Sequence, residues 1–313
     1  MYAVQRVPHD SDGMATFTLR VLLCLVLAPL AARAQELEPR AFSPSPVGAR
    51  FLVVGYGYST GAVLFDPSSP ITDVKAEING AALGLGTSFG LFGRSANFAI
   101  TLPYAWGNVS GSVGEDRASI TRSGLPDTKL RFAINLIGGP ALTPQEFARR
   151  TPATALGISF TVVPPTGQYD STKLINLGTN RWSFKTELGL SKPVGHWDFD
   201  VYLGTWFYTD NNNLRGATQK KDPILSTQAH VSYTVRPRTW VAFDATFYNG
   251  GETTLDGVAG NNRQKNSRVG LTFSLPMGRT QSWKFTYSRG ATTRIGSDFS
   301  TYGVAWQYLW LKH

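Results

Sequence analysis

Tyr302-Gly-Val304-Ala-Trp306-Gln-Tyr308-Leu-Trp310 sets a bulky apolar side chain at every second position. The stretch before it does the same, with Trp283, Phe285 and Tyr287 alternating with Ser282, Lys284, Thr286 and Ser288. Side chains on a strand point to opposite faces with a period of two, so each ribbon has one apolar face and one polar face. In a soluble sandwich the apolar faces meet in a core. In a membrane barrel they meet lipid, and the polar faces line a lumen.

What lies between the ribbons decides between the two. Alternating stretches recur at 49–59, 76–91, 96–108, 127–138, 153–163, 181–192, 197–209, 224–236, 240–250, 265–275, 282–290 and 301–311, about twelve in all. Between them, 91–95, 193–196, 236–239 and 276–280 are short turns, while 60–75, 110–126, 164–180, 210–223, 250–264 and 290–300 are long polar loops. Short and long alternate, apart from a longer break at 139–152. Outer-membrane barrels are strung in this way, with short periplasmic turns and long outer loops; Greek-key sandwiches have no reason to keep the alternation. The fold expected is all-β, a transmembrane antiparallel up-and-down barrel of about twelve strands with both termini at the periplasmic end.

The break carries Thr143-Pro144-Gln145-Glu146 ahead of Phe147-Ala-Arg-Arg150. Thr at the N-cap, Pro at the first helical position and Glu two residues later predict one short helix. Trp197, Trp240 and Trp283 stand just after short turns, forty-three residues apart. They are expected to form an aromatic girdle at one lipid–water boundary, with Trp310 on the same side.

Arg20, the apolar run Val21–Leu30 and Ala32-Arg33-Ala34 form a secretory signal peptide over 1–34, leaving 35–313 as the barrel; translation starts at Met1 or at Met14. The one cysteine, Cys24, falls inside that signal, so no disulfide is expected to staple the mature chain. The formal charge of +9 is read as a basic lumen or lipid-facing loops, not as a nucleic-acid site, because an exported chain rarely meets nucleic acid.

Turning the apolar residues outward places Lys129, Arg131, Asn135, Lys185, Glu187, Asp198, Asp200, Gln228, His230, Asp244, Arg268 and Lys284 inward, with Tyr202, Trp206 and Tyr208. These are the candidate lumen lining and solute path. Lys185 and Glu187 are expected to face Asp198 and Asp200 across neighbouring strands, and no charge is expected on the outward face within the apolar spans 130–136, 156–162, 184–190, 199–203, 231–235, 241–247 and 269–273. No histidine pair is spaced as metal ligands, and neither a catalytic group nor a cofactor is expected. A barrel-embedded lipid hydrolase would need a serine within reach of a histidine; only His230, with Ser226, Ser232 and Thr234 on its face, could serve. A structural barrel without a pore is the other alternative.

The run Pro164-Pro165-Thr-Gly167-Gln-Tyr169-Asp170, then Leu174 to Trp182, the opening Leu37-Glu-Pro39-Arg40-Ala-Phe-Ser-Pro44-Ser-Pro46-Val-Gly48 and Gly138-Gly-Pro140-Ala-Leu142 resemble a bacterial family of outer-membrane transporters named after the meta-pathway of phenol degradation. The resemblance runs from about residue 36 to the end. It implies a passive transporter and carries no catalytic residues. The Pro-Pro run ends a strand, because proline cannot continue a ladder. Tyr169, Asp170, Lys173, Asn180 and Arg181 are candidate mouth-loop groups. The expectation is a monomer, inserted by the barrel-assembly machinery. It would pass small solutes such as aromatic or apolar acids, with a narrow interior and a lateral opening or loop movement for exit.

Overall fold

A computed structural model describes residues 37–65, 71–113 and 116–311; the expected signal peptide lies outside them. The wall strands come in chain order as β1 (Ala49–Leu64), β2 (Ile71–Leu91), β3 (Arg94–Val113), β4 (Asp116–Gly124), β5 (Lys129–Ile137), β6 (Ala155–Val163), β7 (Ser183–Val194) and β8 (Trp197–Tyr208). After the short β9 (Asn211–Leu214) and β10 (Ala217–Lys221) follow β11 (Ile224–Arg236) and β12 (Thr239–Gly250). After β13 (Thr253–Leu255) and β14 (Val258–Ala259) come β15 (Gln264–Met277), β16 (Gln281–Thr292) and β17 (Gly296–Leu311). Helix α1 (Pro144–Arg149) bridges β5 and β6.

Each wall strand pairs antiparallel with its neighbours, and β1 pairs with β17 from Ala49↔Leu311 to Leu64↔Gly296, which closes the cylinder. β4 and β5 both pair with β3 and are one wall strand interrupted at 125–128, so the barrel has twelve strands. All twelve expected strands are present. The helix is capped as its sequence predicts: Thr143 Oγ1 accepts from the Glu146 amide, and the Glu146 carboxylate accepts from the Thr143 amide.

The faces follow the alternation. Leu188, Leu190, Phe199, Val201, Leu203, Phe243 and Leu271 are exposed and face outward, while Asn135, Lys185, Glu187, Asp200, Gln228, His230, Asp244 and Arg268 are buried inside. This is the inverse of a water-soluble protein, and it suits a surround of hydrocarbon. Trp197 and Tyr233 touch at 4.8 Å and Trp306, Tyr308 and Trp310 stack in sequence at the turn end. Tyr287 and Tyr302, and Tyr104 and Trp106, make a second aromatic level toward the loop end. Two rings of amphipathic aromatics bracketing an apolar belt mark the two lipid–water boundaries.

Three expectations need correction. Trp240 does not join the girdle: it shares the inward parity of buried Ala242 and Asp244. Trp197, Trp240 and Trp283 are the first, second and third residues of their strands, and a one-residue offset flips the face. Lys185 lies opposite Trp206 and Glu187 opposite Gly204, not opposite the two aspartates, because the tight turn after Val194 fixes the hairpin register. Within the apolar spans no charge faces outward, as expected; beyond them Lys192, Lys265 and Arg289 do, each near a strand end where a long side chain reaches the interface. The outer loops are mostly further strand: β3 and β4 continue the wall, while β9, β10, β13 and β14 form a separate four-stranded sheet.

Candidate functional site

Residues 37–47 run up into the lumen, so that Leu37 reaches Gly270 halfway along β15; the expected periplasmic N-terminus falls outside the described residues. Its path is pinned at each step. Val47 N–H bonds to the Leu142 carbonyl, Ser45 N–H to Ser95 Oγ, and the Phe42 carbonyl accepts from Asn135 Nδ2 at 2.8 Å. The Phe42 ring is buried over Gly157 and Gly189, edge-on to Tyr202 at 5.0 Å. A Cβ at residue 189 would stand 2.0 Å from that ring, so the glycine makes the seat. The Arg131 guanidinium lies over the ring at 5.2 Å.

Arg40 is the main anchor. Its guanidinium pairs with Asp198 at 2.6 Å, donates to Ser232 Oγ and Thr234 Oγ1, and lies over Trp240 at 4.8 Å. Its backbone N–H donates to Asp200, and that of Ala41 to Tyr202 Oη. Two carboxylates on one strand, Asp200 buried and Asp198 half-buried, are costly without a cation, and Arg40 supplies it. The sequence reading missed Arg40 and Phe42 as lumen groups, because a proline-rich stretch without alternation gives no face to assign.

Other expected lumen residues form wall networks. Lys185 pairs with Glu187 on its own strand, and Gln228 Nε2 donates to Glu187. His230 Nδ1 meets Asp244 Oδ1 at 2.7 Å, while Thr272 Oγ1 donates to Asp244 Oδ2 at 2.6 Å. This resembles half of a hydrolase triad, yet His230 Nε2 has no hydrogen-bond partner among the described residues, and Ser232 Oγ accepts from Arg40 instead. Trp206 and Tyr208 stack on one another, faced by Lys185 at 5.7 Å and Lys221 at 5.3 Å. Lys129, Arg268 and Lys284 line a lumen cavity of about 460 Å³, on the β1–β2–β17 side away from Phe42.

The segment 164–182 closes over the mouth. Asp127, buried where β4 breaks from β5, accepts from the Gly167 amide at 2.8 Å and from the amide and hydroxyl of Thr179 at 2.8 and 2.7 Å. Across the mouth Tyr169 Oη donates to the Asn213 carbonyl, Asn180 Nδ2 to Asn211 Oδ1, and the buried Arg181 to Gln219, so three of the five mouth candidates tie the loop to β9 and β10. The other two, Asp170 and Lys173, form an exposed pair at 2.9 Å. Hydrogen bonds from Thr172, then from Lys173, hold the Asp170 carboxyl well below the usual carboxylate range. Where Asp127 turns inward the wall is unladdered: β3 pairs with β5 only up to Thr101↔Lys129 and with β4 only from Ala105↔Gly124. Pro103 sits in that interval and cannot donate to a ladder. Among the described residues no group of acidic, histidine or cysteine side chains is placed to hold a metal.

A closed twelve-stranded cylinder with an apolar belt, two aromatic rings and a charged, partly filled interior is a bacterial outer-membrane β-barrel. The chain belongs to the family described as "Putative MetA-pathway of phenol degradation", which it matches over residues 55–308. Comparison with proteins of curated function gives no match. Among solved structures, an outer membrane channel from Pseudomonas putida F1 superposes with a TM-score of 0.74 at 23% identity, over 88% of this chain and 100% of that one. The transport unit of the autotransporter AIDA-I from Escherichia coli gives 0.48 at 11% identity, over 98% and 100%.

Proposed function

We propose that the barrel is a channel for energy-independent passage of small solutes across the outer membrane, with aromatic or apolar acids as its preferred class. The observation that carries this reading is the 460 Å³ cavity itself. A barrel kept only for structure has no use for a void of that size, within the ~300–1,000 Å³ of small-molecule sites. The cavity has apolar walls and cationic groups, a combination that suits an apolar anion. The candidate path residues Lys129, Arg268 and Lys284 line it, and the remaining candidates hold the wall and the N-terminal segment. The structural neighbour from Pseudomonas putida is an outer membrane channel, in keeping with this role.

The way through requires movement. The mouth loop covers one end and the segment 37–47 occupies the other, while the unladdered interval at Leu102–Tyr104, next to Pro126 on the cavity wall, offers a sideways route into lipid. The protein acts as a monomer and reaches the membrane through the barrel-assembly machinery after loss of residues 1–34. Liposome swelling across aromatic acids, sugars and amino acids tests the proposal. Selective swelling with the aromatic acids supports it; no ion current and no solute flux for the pure protein leaves a poreless structural barrel. That second reading draws on the occupancy of the lumen by residues 37–47.

A further inference from the structure

The cavity exists because one part of the wall has almost no side chains. Gly57 on β1 lies opposite Gly80 on β2 and Gly303 on β17, three glycines abreast. One step toward the turn end, Gly55 lies between Ala82 and Ala305. These strand amides are committed to the ladder, so the surface offered is flat, apolar and without free donors. A Cβ added at residue 57 would meet nothing nearer than the Tyr302 carbonyl oxygen at 3.7 Å, so space, not backbone strain, is what the glycine provides.

One step toward the loop end the wall turns polar. Arg268 is only 4% exposed and lines the cavity. One terminal nitrogen donates to Ser288 Oγ at 2.9 Å, with Thr301 Oγ1 at 3.4 Å, and Thr301 is itself bonded to Ser59 Oγ at 3.0 Å. Its Nε has no hydrogen-bond partner among the described residues. That N–H is itself sealed from the cavity, but the guanidinium as a whole lines the cavity, and the group that best meets a guanidinium is a carboxylate. Lys284 lies about 13 Å further toward the turn end, four residues along β16 from Ser288 at ~3.3 Å each, with its ammonium 5.8 Å from the Trp240 ring. Glu38 and Lys129, which also line the cavity, each have partners of their own.

From this geometry we infer a binding subsite for a flat apolar monocarboxylate: the acid accepts from Arg268 beside Ser288 and Thr301, and the hydrocarbon body lies on the Gly80–Gly57–Gly303 floor. The inference deepens the channel reading and rests on it for physiological meaning, but binding is measured without flux. Full-length protein in detergent is titrated calorimetrically with 2-naphthoate, with neutral 2-naphthalenemethanol, and with acetate. Naphthoate binds one to one, and the alcohol and acetate each bind at least tenfold more weakly. Arg268→Gln lowers naphthoate affinity tenfold or more, toward that of the alcohol. Gly57→Leu, which fills the floor without touching Arg268, abolishes both aromatic ligands; heat-modifiable gel migration confirms that both variants are folded barrels. Equal binding of acid and alcohol, or wild-type affinity in folded Arg268→Gln or Gly57→Leu, overturns the subsite. Liposome flux without saturable binding sinks the subsite and leaves the channel; binding without flux does the reverse.

Discussion

Replacing Arg40 by Met keeps the aliphatic stem over Trp240 and removes the guanidinium that holds the N-terminal segment to the wall. Three side-chain interactions are lost, to Asp198, Ser232 and Thr234, while the backbone bonds to Asp200 and Tyr202 remain. Hydrogen bonds to charged groups contribute ~1.5–3 kcal/mol each when well made. The Arg40 and Asp198 side chains retain 21% and 24% exposure, so water screens part of that. A loss of about 3 kcal/mol for the set is the reasonable scale, which shifts the docked-to-undocked ratio by about a hundredfold. In planar bilayers the variant is expected to enter a high-conductance state about a hundred times more often than wild type. Amide exchange at residues 41–47 should accelerate in parallel. Asp198→Asn gives a smaller effect, and the double variant less than the sum, because both changes remove one ion pair. Unchanged event frequency together with unchanged exchange at 41–47 would refute the anchoring role of Arg40.

Other consequences are as direct. Gly189→Val places a side chain where the Phe42 ring sits; the ring is expelled, and cysteine labelling at an Ala41→Cys background, which keeps Phe42, becomes faster. Asp127→Ala strips three acceptor bonds from the mouth loop, a loss of ~1–3 kcal/mol, read as faster proteolysis within 164–182 and an unchanged barrel core. Thr143→Ala removes the cap of α1 and lowers helix stability by ~1 kcal/mol, visible as faster local exchange at the Glu146 amide, which loses its acceptor. Hydrogen bonding from Thr143 lowers the Glu146 pKa below its usual range. The box is therefore fully stabilising above the pKa of an unfolded glutamate, and is lost only as pH falls through the depressed value. Amide exchange at Glu146 followed from pH 6 downward checks the sign.

The wall was legible because lipid imposes one rule on every strand, and a period of two survives even where strands lengthen beyond the bilayer, as β2 and β3 do. Register was less so. Lys185 and Asp200 are close in sequence and opposite in charge, yet the turn at Gly195, not their attraction, sets what they face. Trp240 misled for a related reason: a constant spacing of forty-three residues says nothing of where each strand begins. The lumen occupant left no signal, since Arg40 and Phe42 belong to a stretch whose conformation is dictated by the wall it enters. The Gly57–Gly80–Gly303 floor shows only in the pairing, because glycines in three separate strands align only once the register is known.

The seam between β1 and β17 has a consequence for biogenesis. It joins the earliest and latest wall strands through sixteen residue pairs, so the cylinder cannot zip shut until the whole polypeptide has arrived. The segment inside is tethered directly to β1 and is therefore enclosed at that final stitch or threaded back afterwards from the turn side. Folding of the wall and docking of its occupant become successive events, and a chain caught between them would already be inserted yet leaky.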